Sequence, residues 1–210
     1  MRNKGRRSIH AAIVLAAVVA ALLLVLQLKN RHRGDESITI DPAVEREIVE
    51  KDRAILRTKI AVVFPHWVQA WRSDDDRFDP AELQRDGLES IDSLLDIQED
   101  EPHLPLDDEA LRPLISPDGT KYIEYGGYSE EAEPDSELTL VDTLKKERRR
   151  LLFYGPSVRI DDAAWADNET VIAVGTEEAE AGPQKTAVRP LVWIFHLPQR
   201  LVSTYSPAPR

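Results

Sequence analysis

The amino-acid sequence predicts an α+β fold: one N-terminal transmembrane helix, a short helical region, then an antiparallel β-meander. Three observations predict it. Residues Ile9–Leu28 form an apolar run of 20 residues, with no polar side chain from Ala11 to Leu26. From Asp41 to residue 100, apolar residues recur mostly at helical spacing. From residue 110 to 206 the pattern changes to short β-branched or aromatic runs divided by turn residues, and it repeats itself.

The apolar run is taken first. At about 1.5 Å per residue a helix of this length spans about 30 Å, the thickness of a bilayer's hydrocarbon core. Arg2, Lys4, Arg6 and Arg7 precede it as a basic region, as in a secretory signal. However, the run is longer than the roughly 7–15 residues of a signal peptide core, and Gln27-Leu28-Lys29-Asn30-Arg31 offers no small-x-small cleavage site. An uncleaved signal anchor is expected, with the lipid bilayer as its partner through residues 9–28.

Charge sets the expected orientation. Residues 1–33 carry seven of the 27 Lys/Arg and none of the 38 Asp/Glu, which leaves 20 basic against 38 acidic residues, a balance of −18. Such a domain is repelled by anionic headgroups and by nucleic acid, so no nucleic-acid partner is expected. The expected address is the bacterial inner membrane, single-pass. Residues 1–8 form a basic cytoplasmic tail, 29–40 a juxtamembrane linker, and the C-terminal domain is periplasmic. The absence of cysteine excludes a disulfide framework, a thiolate zinc site and a cysteine nucleophile.

Residues 41–100 read as a helical region. Asp41-Pro42 is a helix start, a carboxylate cap followed by proline where a missing N–H is harmless. Ile48-Val49, Ile55-Leu56 and Val62-Val63 follow at heptad spacing. Three short heptads interrupted by Lys51-Asp52 and Thr58-Lys59 favour packing on the chain's own domain over a coiled coil. Trp67 and Trp71, four apart, share a helix face. After an acidic loop at residues 73–79, Asp79-Pro80 repeats the start signal. Leu83, Leu88, Ile91, Leu94, Leu95 and Ile97 then supply an apolar face, weakened by Gly87.

Residues 110–206 repeat. Leu114–Gly126 aligns with Ala163–Gly175 at an offset of 49; Leu138–Asp142 aligns with Val192–His196, and Arg150–Tyr154 with Arg200–Thr204. Each copy reads as a strand, a tight turn at Asp118-Gly119 or Asp167-Asn168, a return strand, and a variable loop (Ser129–Ser136, Glu177–Ala187). Two more strands follow, making a four-stranded antiparallel meander. Ser116-Pro117-Asp118-Gly119-Thr120-Lys121-Tyr122-Ile123, with the acidic end of the strand at Asp142, resembles the WD40-like repeats of TolB-type β-propellers. The second copy departs from that pattern at Ala166-Asp167-Asn168 and at His196. The resemblance implies two propeller-like blades over residues 110–206. Propellers close with about four to eight blades, so the pair is expected to be covered by the N-terminal helices or by partner chains.

No Gly-x-Ser-x-Gly elbow, phosphate-binding glycine loop or His-Glu-x-x-His motif occurs, and the five histidines are scattered. No catalytic, cofactor-binding or metal-ligating residue is assigned, no cofactor is expected, and no enzyme activity is expected. Asp161-Asp162 with Asp167 suit a cation or an acid/base pair less well than ordinary turn chemistry. His66, Trp67 and Trp71 are the candidate partner or ligand contacts. The expected function is that of a membrane-anchored interaction protein, an accessory or scaffold subunit of an envelope membrane complex with other protein subunits as partners. The alternative is an extracytoplasmic ligand-sensing or solute-binding module, with its pocket between helices and blades.

Overall fold

The computed structural model describes residues 40–91, 97–98, 113–127, 136–180 and 186–208. All elements below lie within the unit Pro42–Arg210. Helix α1 (Pro42–Thr58) starts with the expected proline and carries Glu45 in its first turn, near the positive end of the dipole. Lys59 is a turn residue, after which come the four-residue α2 (Ile60–Val63) and α3 (Pro65–Asp74). The break at Lys59 ends the heptad stripe. Ile48, Ile55 and Leu56 are buried, whereas Val62 is 76% and Val63 37% exposed.

The expected fold class is corrected. Strands dominate: ten of them form two five-stranded antiparallel sheets among the described residues, so the domain is mostly β. No helix of the described residues is long and apolar enough to cross a membrane. The transmembrane signal anchor expected at Ile9–Leu28 lies outside the described residues.

The helix expected after Asp79-Pro80 is also corrected. Only a single 3-10 turn, Pro80–Glu82, follows; the Asp79 carboxylate accepts from the Ala81 N–H at 3.0 Å. The chain then becomes strand β1 (Gln84–Ser90). Gly87 is a poor helix former, and here it follows a β-bulge against a distant strand that offers a full edge of hydrogen bonds. Tertiary pairing overrides the local apolar spacing.

The remaining strands are β2 (Ile97–Gln98), β3 (Leu114–Ile115), β4 (Lys121–Gly127), β5 (Ser136–Asp142), β6 (Glu147–Tyr154), β7 (Val158–Asp167), β8 (Thr170–Glu180), β9 (Thr186–His196) and β10 (Leu201–Ser206). Sheet I has the order β2-β6-β5-β4-β3, and sheet II the order β1-β10-β9-β8-β7. Each is a meander of four consecutive strands extended at its outer edge by one strand from residues 84–98. Part of the expected loop Glu177–Ala187 is strand, because β8 and β9 stay paired as far as Glu180↔Thr186. Pro190 is tolerated in β9 because β10 pairs only as far as Val192↔Tyr205, and the missing N–H interrupts no further ladder.

The two meanders share their register at the second strand but not at the first, where Ile123 pairs Leu114 and its counterpart Ile172 pairs Ala164 rather than Ala163. Lys121 and Thr170 open β4 and β8, in keeping with the offset of 49. At the last turn, Asp142 pairs Glu147 and His196 pairs Leu201, and Lys146 and Arg200 share a φ of 54°. Arg200 is therefore the counterpart of Lys146, not of Arg150.

This register reveals how the layers stack. Ile123, Leu138 and Leu140 of sheet I pack towards sheet II. Their counterparts Ile172, Val192 and Ile194 face the helices, in a cluster with Ile55, Leu56, Ile60, Phe64 and Trp67. The helices thus cover sheet II on the same face that sheet II covers on sheet I. The edge of β7 is pinned to sheet I by side chains: Trp165 Nε1 donates to the Leu114 carbonyl (2.7 Å), Ser136 Oγ accepts from the Ile160 N–H (3.2 Å), and Tyr125 donates to Asp162 (2.9 Å). Burial, and then the Asp162 carboxylate, push the Tyr125 hydroxyl up to about 12.

Candidate functional site

The three residues singled out by sequence lie on α3 and are used differently. His66 is exposed, Trp67 is buried and Trp71 is half-buried. Pro65 starts the helix, and spacing of four puts both tryptophans on its inner side with ring centroids 6.4 Å apart. Phe78 closes the knot at 5.7 Å from Trp67 and 6.1 Å from Trp71, held by the loop contact from Arg72 Nε to the Phe78 carbonyl (3.1 Å). Trp67 joins the helix–sheet cluster, and among the described residues its buried indole N–H has no partner. Such an N–H costs about 1–3 kcal/mol, so apolar packing fixes this residue. His66 is exposed near the α2–α3 corner, where Val62 and Val63 are exposed as well.

A second polar feature escapes sequence reasoning. Asp52, on the inner face of α1, is 0% exposed. Its Oδ1 lies 2.8 Å from His196 Nε2, and its Oδ2 accepts from the Tyr205 hydroxyl at 2.9 Å. Burial, and then the Asp52 charge, push the Tyr205 hydroxyl well above the usual tyrosine range. Lys51 adds a bond to Thr170 Oγ1 (2.6 Å) and an ion pair with Asp167 (3.1 Å). Lys59 donates to the Ala166 carbonyl. The arrangement fastens α1 to the ends of β7–β10. The signal was present as an acid between Ile48 and Ile55 on the apolar stripe, and as a lone histidine closing an apolar strand.

The acidic residues considered as a cation site or acid/base pair serve separate roles. Asp161 engages Arg159 (2.7 Å), Asp162 accepts from Tyr125, and Asp167 caps its own turn at the Glu169 N–H (2.9 Å). For Asp167, burial works against ionisation, but the bonds from Glu169, Lys51 and Thr170 prevail and lower its pKa. In the Ser116–Lys121 turn, Asp118 accepts from Ser116 Oγ (2.7 Å) and from the N–H and hydroxyl of Thr120, which hold it down to about 2. Gly119 supplies the left-handed φ of 72° that the turn needs. Among the described residues, no group of three or more His, Asp or Glu is placed to hold a metal ion.

A cleft of about 250 Å³ opens between the sheets, where the turns of both meanders converge. Its floor is Ile91, Leu140, Leu151 and Leu197, and its walls carry Lys121, Asp142, Glu147 and Arg149. It lies away from His66, Trp67 and Trp71. Compared with known proteins, the chain matches no family model, no curated protein and no solved structure.

Proposed function

We propose that this chain is an interaction protein, an accessory or scaffold subunit of an envelope membrane complex that acts through its β domain. The observation that carries the reading is the α2–α3 shoulder. Val62 and Val63 stand exposed at the corner where α3 begins, and Trp67 of that helix is buried in the core. Exposed apolar side chains on a fixed support are what a protein partner buries. The resemblance of residues 110–206 to TolB-type repeats belongs to the same reading, as does the contact of residues 9–28 with a bilayer.

The test is affinity purification of the full chain from its native membrane in mild detergent, with Val62→Glu in parallel. A stoichiometric complex that Val62→Glu loses, while its far-UV spectrum stays unchanged, is the expected result. A monomer, or a complex indifferent to Val62→Glu, sinks the reading. Extraction of the membranes at alkaline pH tests the bilayer contact: the chain should stay with the lipid pellet.

A further inference from the structure

We infer that Asp86-Gly87, at the bulge of β1, is a site of spontaneous isoaspartate modification, and that Asp118-Gly119 is guarded from the same chemistry. The reading is independent of the accessory role. These are the two Asp-Gly pairs of the chain. In such a pair the glycine amide nitrogen attacks the aspartyl carboxyl carbon. A C–N bond forms, and the carboxyl OH leaves with the amide proton as water. A second water then opens the succinimide at its main-chain carbonyl, so that the backbone runs through the side-chain carbon. Glycine favours the attack because no β-carbon stands in its path.

The two pairs differ in what holds their reacting groups. Asp118 Oδ1 accepts from Ser116 Oγ (2.7 Å), the Thr120 N–H (3.0 Å) and the Thr120 hydroxyl (2.8 Å). The Gly119 N–H is donated to the Ser116 carbonyl at 2.9 Å. The bonds to Asp118 hold its carboxyl down to about 2, so the neutral form, which alone has an OH to lose, is scarce. Reaction there requires the whole turn to open.

Asp86 has no such guard. The register slips between Arg85 and Gly87, which leaves Asp86 as the extra residue of a bulge in an edge strand. Among the described residues its carboxylate accepts no hydrogen bond; the Arg189 guanidinium stands 3.8 Å away, and the two side chains are 40% and 42% exposed. The fold does not demand glycine here either. Gly87 lies outside the left-handed region, and a Cβ at this position would meet only Glu89 Oε1, at 3.6 Å. The added main-chain carbon would fall between the pairs Arg85↔Tyr205 and Gly87↔Thr204, where β1 joins sheet II.

The full chain, kept in mild detergent at neutral pH and body temperature for several weeks, tests this by peptide mapping with electron-transfer mass spectrometry. Isoaspartate at Asp86 is expected to accumulate about tenfold faster than at Asp118, where opening of the turn limits the reaction. Gly87→Ala, which the space allows, should slow conversion at Asp86 about tenfold and leave Asp118 unchanged. Ser116→Ala, which removes one donor to Asp118, should raise conversion there about threefold. The unmodified sequence decides the ranking of the two sites even if a variant fails to fold. No conversion at Asp86, conversion at Asp118 as fast or faster, or conversion at Asp86 indifferent to Gly87→Ala overturns the inference.

Discussion

The two sheets have the same meander but different second faces. In sheet II, Val171, Ala173, Trp193 and Phe195 face sheet I, and all are 0% exposed. The counterparts in sheet I are Tyr122, Glu124, Thr139 and Val141, and Arg148 and Arg150 lie on the same side of β6. There Arg148 meets Glu124 at 2.8 Å, Arg150 meets Glu137 at 2.8 Å, and Arg150 lies 4.8 Å over the Phe153 ring. One copy is built to be sandwiched, as its runs Val171–Val174 and Leu191–Phe195 announce. The other carries charge where a third sheet would stack. The helices lie on one side of the pair, and on the other Tyr122, Glu124, Thr139 and Val141 are themselves buried beside these ion pairs.

Exchange of counterparts should break this contrast most severely. Ala173→Glu places in sheet II the acid that sheet I carries at Glu124. An unpaired buried charge between two sheets should cost more than about 4 kcal/mol and leave no cooperative thermal transition. Next in size is the helical cover. Asp52→Ala should lose about 3–5 kcal/mol by urea unfolding, because His196 and Tyr205 lose their shared acceptor. A double change of Asp52 and His196 to leucine should recover much of it, as apolar replacement of both partners of a buried pair often does. Glu124→Ala, the reverse exchange, should cost only roughly 1–2 kcal/mol, since its partner Arg148 is one-third exposed and can turn to solvent.

The smallest effect concerns the join between the sheets. Tyr125 must be neutral to donate to Asp162, and its pKa is raised from 10.0 to about 12. The contribution is therefore complete below pH 10 and lost as pH rises through about 12. Tyr125→Phe should cost about 1 kcal/mol at neutral pH and flatten alkaline unfolding in that interval.

Legibility in the sequence followed the range of the interactions. The hairpin turn at Ser116–Lys121 was readable because its side chains satisfy one another within a few residues. The repeat was readable because each meander is built of neighbours. Residues 84–90 and 97–98 were misread because their partners, β10 and β6, lie far along the chain; nothing local in the sequence distinguishes a helix face from an edge strand there. Trp67 and Trp71 were placed on one helix face, but only the structure separates the buried indole from the half-buried one. Asp52 and His196 looked unrelated, being 144 residues apart.

The pairing of β1 with β10 also governs when the domain can form. Asp52 waits 153 residues for Tyr205, and the edge strand at Gln84–Ser90 waits for Leu201–Ser206. Such separations make for slow folding. While the ribosome is still adding β10, sheet II lacks an edge and α1 exposes a carboxylate with no acceptor role. A chain emerging across a membrane would hold these surfaces open until its last strands arrived, so chaperone demand should concentrate in that interval. Shortening the protein before Leu201 should yield an aggregating product rather than a smaller stable domain.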